Sequence, residues 1–175
     1  MAITKIQSES LNLADTYDFT GTVTGAGGVN TPAWLVSLTS NQSVSNATAT
    51  KVNFDSVIFD TDSVYDNTTD YDVTIPTGKG GKYWLYSRCW LDAVDGETEV
   101  GTVRVYVNGS LATSPTFLAG ATGSTGDGGK LYLQVSGLIN LSDGDVLTIF
   151  VYHNSGASEL LRGGNCSFHG YKIIE

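Results

Sequence analysis

The chain has 175 residues, enough to bury one hydrophobic core and short for two domains; its 21 Gly, 3 Pro and 1 Met, with abundant Thr, Val, Ser and Asp, favour strands and turns over helices. A formal net charge of -9 argues against binding phosphate backbones and so against a nucleic-acid partner. Residues 1–10 hold no apolar run of signal-peptide length, and the longest apolar strand, Val146 to Tyr152, is too short to span a bilayer, so no membrane insertion and assembly in a cytosol are expected.

In chain order, residues 1–30 differ in composition from the rest of the chain. Ile3, Ile6, Leu11 and Leu13 are scattered among polar residues, then Tyr17 and Phe19 lead into the Gly-rich run Gly21 to Gly28. This composition predicts an extended arm that docks on something else, with one folded domain over 31–175. Ala33 to Thr39 puts Trp34, Val36 and Leu38 on one face of a strand. Asn41 to Thr50 reads as a polar loop, and Lys51 to Phe59 as two short strands around a bend at Asp55 and Ser56.

The densest stretch runs from Phe54 to Leu91. Tyr71, Val73 and Ile75 alternate with Asp72 and Thr74, and Pro76 with a Gly-rich turn reverses the chain into Tyr83 to Leu91, predicting a hairpin. Tyr83, Leu85, Cys89 and Leu91 fall on one face of the second strand, and Trp84, Tyr86 and Trp90 on the other. A strand apolar on both faces is covered on both, so the second face calls for another subunit or layer. Asp92 to Glu99 reads as an acidic turn, Val103 to Val107 as an outer strand closed by Asn108-Gly109, and 112–129 as a long Gly, Ser and Thr loop. Leu131 to Val135 is another outer strand, Leu141 to Asp145 a turn, and Val146 to Tyr152 again apolar on both faces. A loop over 154–164 and a strand over Ser167 to Ile174 close the chain.

The result is an all-β, antiparallel two-sheet jelly-roll sandwich of about ten strands. The two-faced strands are expected in one sheet facing a symmetry axis. Trp84, Tyr86, Trp90, Phe150 and Tyr152 then form a subunit interface, or the alternate faces of the same strands do. The loops 112–129 and 154–164 are candidates for outward contact.

Chemical motifs are sparse. Cys89 and Cys166 lack metal-ligand spacing and are read as small buried residues or as one bridge between neighbouring strands. His153 and His169 have no nucleophile elbow or zinc-binding pair nearby, which predicts structural roles and no catalytic residues. Thr77 to Lys82 has the wrong spacing for a phosphate loop and precedes a strand, so a turn explains it. Asp55, Asp60, Asp62, Asp66, Asp70 and Asp72 form an acidic cluster; it reads as a solvated surface, with Asp60, Asp62 and Asp66 as weak calcium candidates and no other cofactor expected. Six Asn-x-Ser/Thr triplets are accounted for by the abundance of Ser and Thr.

Tyr65-Asp66, Tyr71, Ile75-Pro76, Gly81 to Leu85, Asn108-Gly109, Leu141 to Val146 and Phe168 to Tyr171 together resemble the globular head of complement-subcomponent-q-like proteins, relatives of tumour necrosis factor. The resemblance covers roughly residues 33–175 and implies a jelly roll that forms a tight homotrimer through one sheet. Ser87 departs from it, standing where the family usually has an aromatic residue, and the Gly-X-Y repeat of a collagen-like stalk is missing. Residues 5–28 resemble the N-terminal leaders of tailed-bacteriophage structural proteins. The two resemblances together imply a non-enzymatic virion protein on the particle surface, a capsid decoration or short fibre. Its arm would dock on other virion proteins and its knob would face host-surface glycan or protein. Two other readings are a calcium-dependent, lectin-like secreted module and, further off, a glycan hydrolase.

Overall fold

A two-residue period governs the burial of most of the long strands. In the computed structural model, which describes residues 30–92, 98–112, 118–124 and 130–173, Trp34, Val36 and Leu38 are buried while Leu35 and Ser37 between them are not. The arm, with Ile3, Ile6, Leu11, Leu13, Tyr17 and Phe19, lies outside the described residues, as do 93–97, 113–117 and 125–129.

The strands are β1 (Ala33–Leu38), β2 (Gln42–Val44), β3 (Thr50–Lys51), β4 (Ser56–Asp60), β5 (Val73–Thr74), β6 (Gly81–Asp92), β7 (Thr98–Val107), β8 (Ser110–Leu111), β9 (Leu118–Ser124), β10 (Lys130–Leu141), β11 (Val146–His153), β12 (Glu159–Leu161) and β13 (Cys166–Lys172). All pairings between them are antiparallel. The seven-stranded sheet is built on β6. One edge of β6 pairs along its whole length with β10, and the other pairs first with β13 and then, beyond Arg88, with β12. From β13 the sheet continues through β1 to β4, and from β12 to β2. The six-stranded sheet is built on β11 and β7, with β3 and β5 on the far edge of β11 and β8 and β9 on the far edge of β7.

The sandwich is thus an all-β jelly roll, and the expected fold class holds. Several local expectations do not. β6 and β11, expected in one sheet, lie in opposite sheets. Each sends one face into the shared core: Tyr83, Leu85, Ser87, Cys89 and Leu91 from β6, and Leu147, Ile149, Val151 and His153 from β11. The expected hairpin from Tyr71 into Tyr83 is a crossing between sheets, because β5 pairs with β11 and not with β6. The loops expected over 41–50, 112–129 and 154–164 contain β2, β9 and β12. β10 does not belong to an outer layer away from β6; it is the direct neighbour of β6 through twelve residue pairs.

The core is aromatic at one end. Trp34 lies 5.6 Å from Phe168 and 6.2 Å from Tyr83, ring centre to ring centre. Ser87 is fully buried opposite Phe168 and donates its hydroxyl to the Ser167 carbonyl at 3.0 Å. Phe168, its partner on β13, is likewise buried. Cys89 and Cys166 are both buried free thiols, and Cys166 together with burial pushes the Cys89 thiol up. The Asn108-Gly109 turn forms as expected, with φ of 51° and 75°.

Candidate functional site

The register of the seven-stranded sheet sorts the side chains on its outer face into rows. Phe59, Leu35, His169, Tyr86 and Ser136 lie side by side across β4, β1, β13, β6 and β10. A parallel row holds Ala33, Tyr171, Trp84 and Leu138. These two rows make one apolar block, in which the His169 and Tyr86 rings stack at 4.9 Å. Burial, and then the charge of Arg88, hold the His169 imidazole below its usual range, which favours the neutral ring.

On the other side of the first row the character changes. Ser37, Ser167, Arg88 and Gln134 form a wholly polar row, and beyond it Trp90 stands beside Tyr132 with ring centres 5.1 Å apart. Lys130 places its ammonium 5.4 Å from the Trp90 ring centre. A cleft of about 350 Å³ opens here, lined by Tyr86, Arg88, Trp90, Tyr132, Gln134 and Asn165. A smaller apolar hollow of about 210 Å³ lies in the apolar block among Leu35, Phe59, His169 and Tyr171.

Phe150 and Tyr152 are not on this face. They project from the six-stranded sheet, where Tyr106 packs on Phe150 at 4.3 Å and the Arg104 guanidinium covers Tyr152 at 4.6 Å. The five residues expected to share one interface therefore divide, with Trp84, Tyr86 and Trp90 on one outer surface and Phe150 and Tyr152 on the opposite one. Sequence reading missed Leu35, Phe59, Arg88, Tyr132, Leu138, His169 and Tyr171 as members of the first surface. The signal was present as the alternate positions of strands whose other residues are buried.

The acidic cluster is occupied with its own turns. Asp60 accepts from the backbone N–H groups of Asp62 and Tyr65, Asp62 pairs with Lys79 at 3.1 Å, and Asp66 accepts from the N–H groups of Thr68 and Thr69. No group of three or more His, Cys, Asp or Glu residues is arranged to hold a metal ion among the described residues. Backbone N–H groups of Thr68 and Thr69 and the Thr68 hydroxyl draw the Asp66 carboxyl down to about 2.

A Ser, a His and a Glu do meet, but in the wrong order for acyl transfer. Ser155 Oγ lies between His153 Nδ1, at 2.9 Å, and Glu159 Oε1, at 3.0 Å, while His153 Nε2 is 3.0 Å from the Val44 carbonyl. A catalytic base would have to bridge serine and carboxylate, and here the serine is the bridge. The His153 ring is fully buried, so this cluster ties β11, β12 and β2 together.

Strand order and register define a two-sheet antiparallel jelly roll with one apolar outer face. Among solved structures, the chain is similar to the globular domain of zebrafish complement 1qA protein, at 17% identity and a TM-score of 0.56, over 81% of this chain and 96% of that one. It is likewise similar to murine APRIL at pH 8.0, at 16% identity and a TM-score of 0.54, over 81% of this chain and 98% of that one. With the same protein at pH 5.0 the values are 17%, 0.55, 81% and 99%. At these identities the likeness is one of fold. By sequence, no protein-family model and no curated protein matches the chain.

Proposed function

We propose that this chain is a non-enzymatic, homotrimeric virion head that assembles through the apolar block of the seven-stranded sheet. In this reading it decorates a bacteriophage capsid or forms a short fibre, docks by residues 1–30 and turns its knob toward the host surface. One observation carries the assembly. Every large apolar residue that is exposed among the described residues, namely Val57, Ile58, Phe59, Tyr132, Leu138, Leu160 and Tyr171, belongs to a strand of that sheet. Phe59, Leu138 and Tyr171 lie together in the two rows of the apolar block, and an exposed apolar surface of this kind marks an interface. On the opposite surface, among the described residues, Tyr106 packs on Phe150 and Arg104 covers Tyr152. The virion role is supported by the leader-like composition of residues 5–28 and by the resemblance of the rest to a trimeric head.

Co-sedimentation tests the docking. The full chain is expected to pellet with bacteriophage particles depleted of it, and the chain lacking residues 1–30 to stay in the supernatant. Equal pelleting of both, or of neither, would overturn the arm's role. Calcium up to about millimolar is expected to leave Tm unchanged, and a saturable rise would favour the calcium-dependent module instead.

A further inference from the structure

We infer that the cleft beside the apolar block binds a sugar carrying a carboxylate. The inference rests on the proposed function in one respect: the apolar block is the contact between copies, and the polar row through Arg88 marks its rim. An unpaired guanidinium at the centre of an interface costs several kcal/mol, whereas a rim is polar and solvent-accessible.

The chemistry of the lining selects the ligand. Arg88 is exposed and has no carboxylate partner among the described residues, and its row neighbours Ser167 and Gln134 carry no charge. The nearby carboxylate of Asp92 is already paired with Arg162. Among the described residues, Arg88 and the Lys130 ammonium on Trp90 bring positive charge to the cleft on a chain of net charge -9. A guanidinium fork in such a place matches the two oxygens of a carboxylate.

The rest of the lining suits a sugar ring. Trp90 and Tyr132 offer aromatic faces to the C–H surface of a pyranose, and the Gln134 and Asn165 amides each offer a donor and an acceptor to neighbouring hydroxyls. Trp90 also carries a buried indole N–H that has no hydrogen-bond partner among the described residues. A volume of about 350 Å³ is that of a site for one small ligand.

The test is calorimetric titration of the full chain with glucuronic acid, with glucose as the uncharged control, alongside light scattering of the same samples. The expected result is saturable binding of glucuronic acid, with glucose at least about tenfold weaker. Arg88→Gln and, separately, Tyr132→Ala should each lose about tenfold or more without changing the mass of the assembly. Tyr132 is 65% exposed, so its variant keeps the test alive if Arg88→Gln fails to fold. No saturable binding to wild type, or equal binding to wild type and both variants, would overturn the inference. So would an Arg88→Gln variant that loses assembly while wild type ignores the sugar, because the guanidinium would then serve a neighbouring copy. The cleft is complete within one chain, so a wild type that is monomeric yet binds glucuronic acid would contradict the trimer and leave the site standing.

Discussion

Gly170 lacks a side chain because Trp34 fills the space one would need. A Cβ at Gly170 would lie 2.5 Å from the Trp34 ring and 2.8 Å from a Leu85 methyl, both in the packed core. Gly170→Ala is therefore expected to destabilise the fold by about 1–3 kcal/mol, the usual cost of overpacking, read from urea unfolding. A neutral result would mean that the Trp34 end of the core is loosely packed. One residue along, His169 carries a pH signature. Burial, and after it the Arg88 charge, lowers its pKa from the ordinary 6.5, so the unfolded chain takes up the proton at higher pH than the folded one. The neutral ring's contribution is complete above a pH of about 6.5 and is lost as the pH falls from there toward the lower folded value. His169→Phe keeps an aromatic ring against Tyr86 and removes the titration. Its unfolding midpoint should fall less than that of wild type between a pH of about 7.5 and about 5.5, and an equal fall would contradict the role given to His169.

Turns join the elements, and two of them lock together. Asn108 donates from Nδ2 to Asp145 at 2.8 Å and accepts from the Val146 N–H at 2.9 Å, which fastens the turn after β7 to the turn before β11. Asn108 also holds φ at 51°, a conformation that Asn tolerates better than most residues. Asn108→Ala should cost about 1–3 kcal/mol in chemical unfolding, and a value near zero would show that the two turns are independent. In the Asp66 turn, N–H donors hold the carboxyl at about 2, against the ordinary 3.8. The stability it contributes is present above a pH of about 3.8 and is lost as the pH falls from there toward about 2. Asp66→Asn is expected to flatten acid unfolding over that window.

Strand alternation is the part of the fold most legible in the sequence. In Ala33 to Leu38, Tyr83 to Leu91 and Leu131 to Val135 it is enough to separate inside from outside, and burial obeys it residue by residue. The same period says nothing about which sheet a strand joins, and for that reason it does not tell β6 and β11 apart. Both have bulky outer residues, yet those of β11 are covered from β7 by Arg104 and Tyr106, a contact set by long-range register. β9, with the sequence LAGATGS, has no alternation of large apolar residues to reveal it. β12 is three residues long and depends on β2 and β6 for its pairing. In the candidate site Tyr86 and Trp90 are visible by bulk alone. Arg88, between them in the strand, gains its meaning only when the register sets it beside Gln134 and Ser167.

At the scale of the whole molecule, the two sheets share a core but present unlike outer faces. The six-stranded sheet shields its own aromatic rings, whereas the seven-stranded sheet leaves Phe59 at 47%, Leu138 at 53% and Tyr171 at 39% exposure. Burial of this block between copies would be favourable at about 25 cal/mol per Å² of apolar surface, and a closed ring lets one pair of complementary surfaces satisfy every subunit. Trimerisation would also bring three knobs to one target, so that weak contacts act together. The most direct test is the solution mass, by light scattering at about micromolar concentration, of the full chain beside a Tyr86→Asp, Leu138→Lys variant. The account predicts three times the mass of the chain for wild type and a folded monomer for the variant. A monomeric wild type, or a variant that remains trimeric, would contradict assembly through this face.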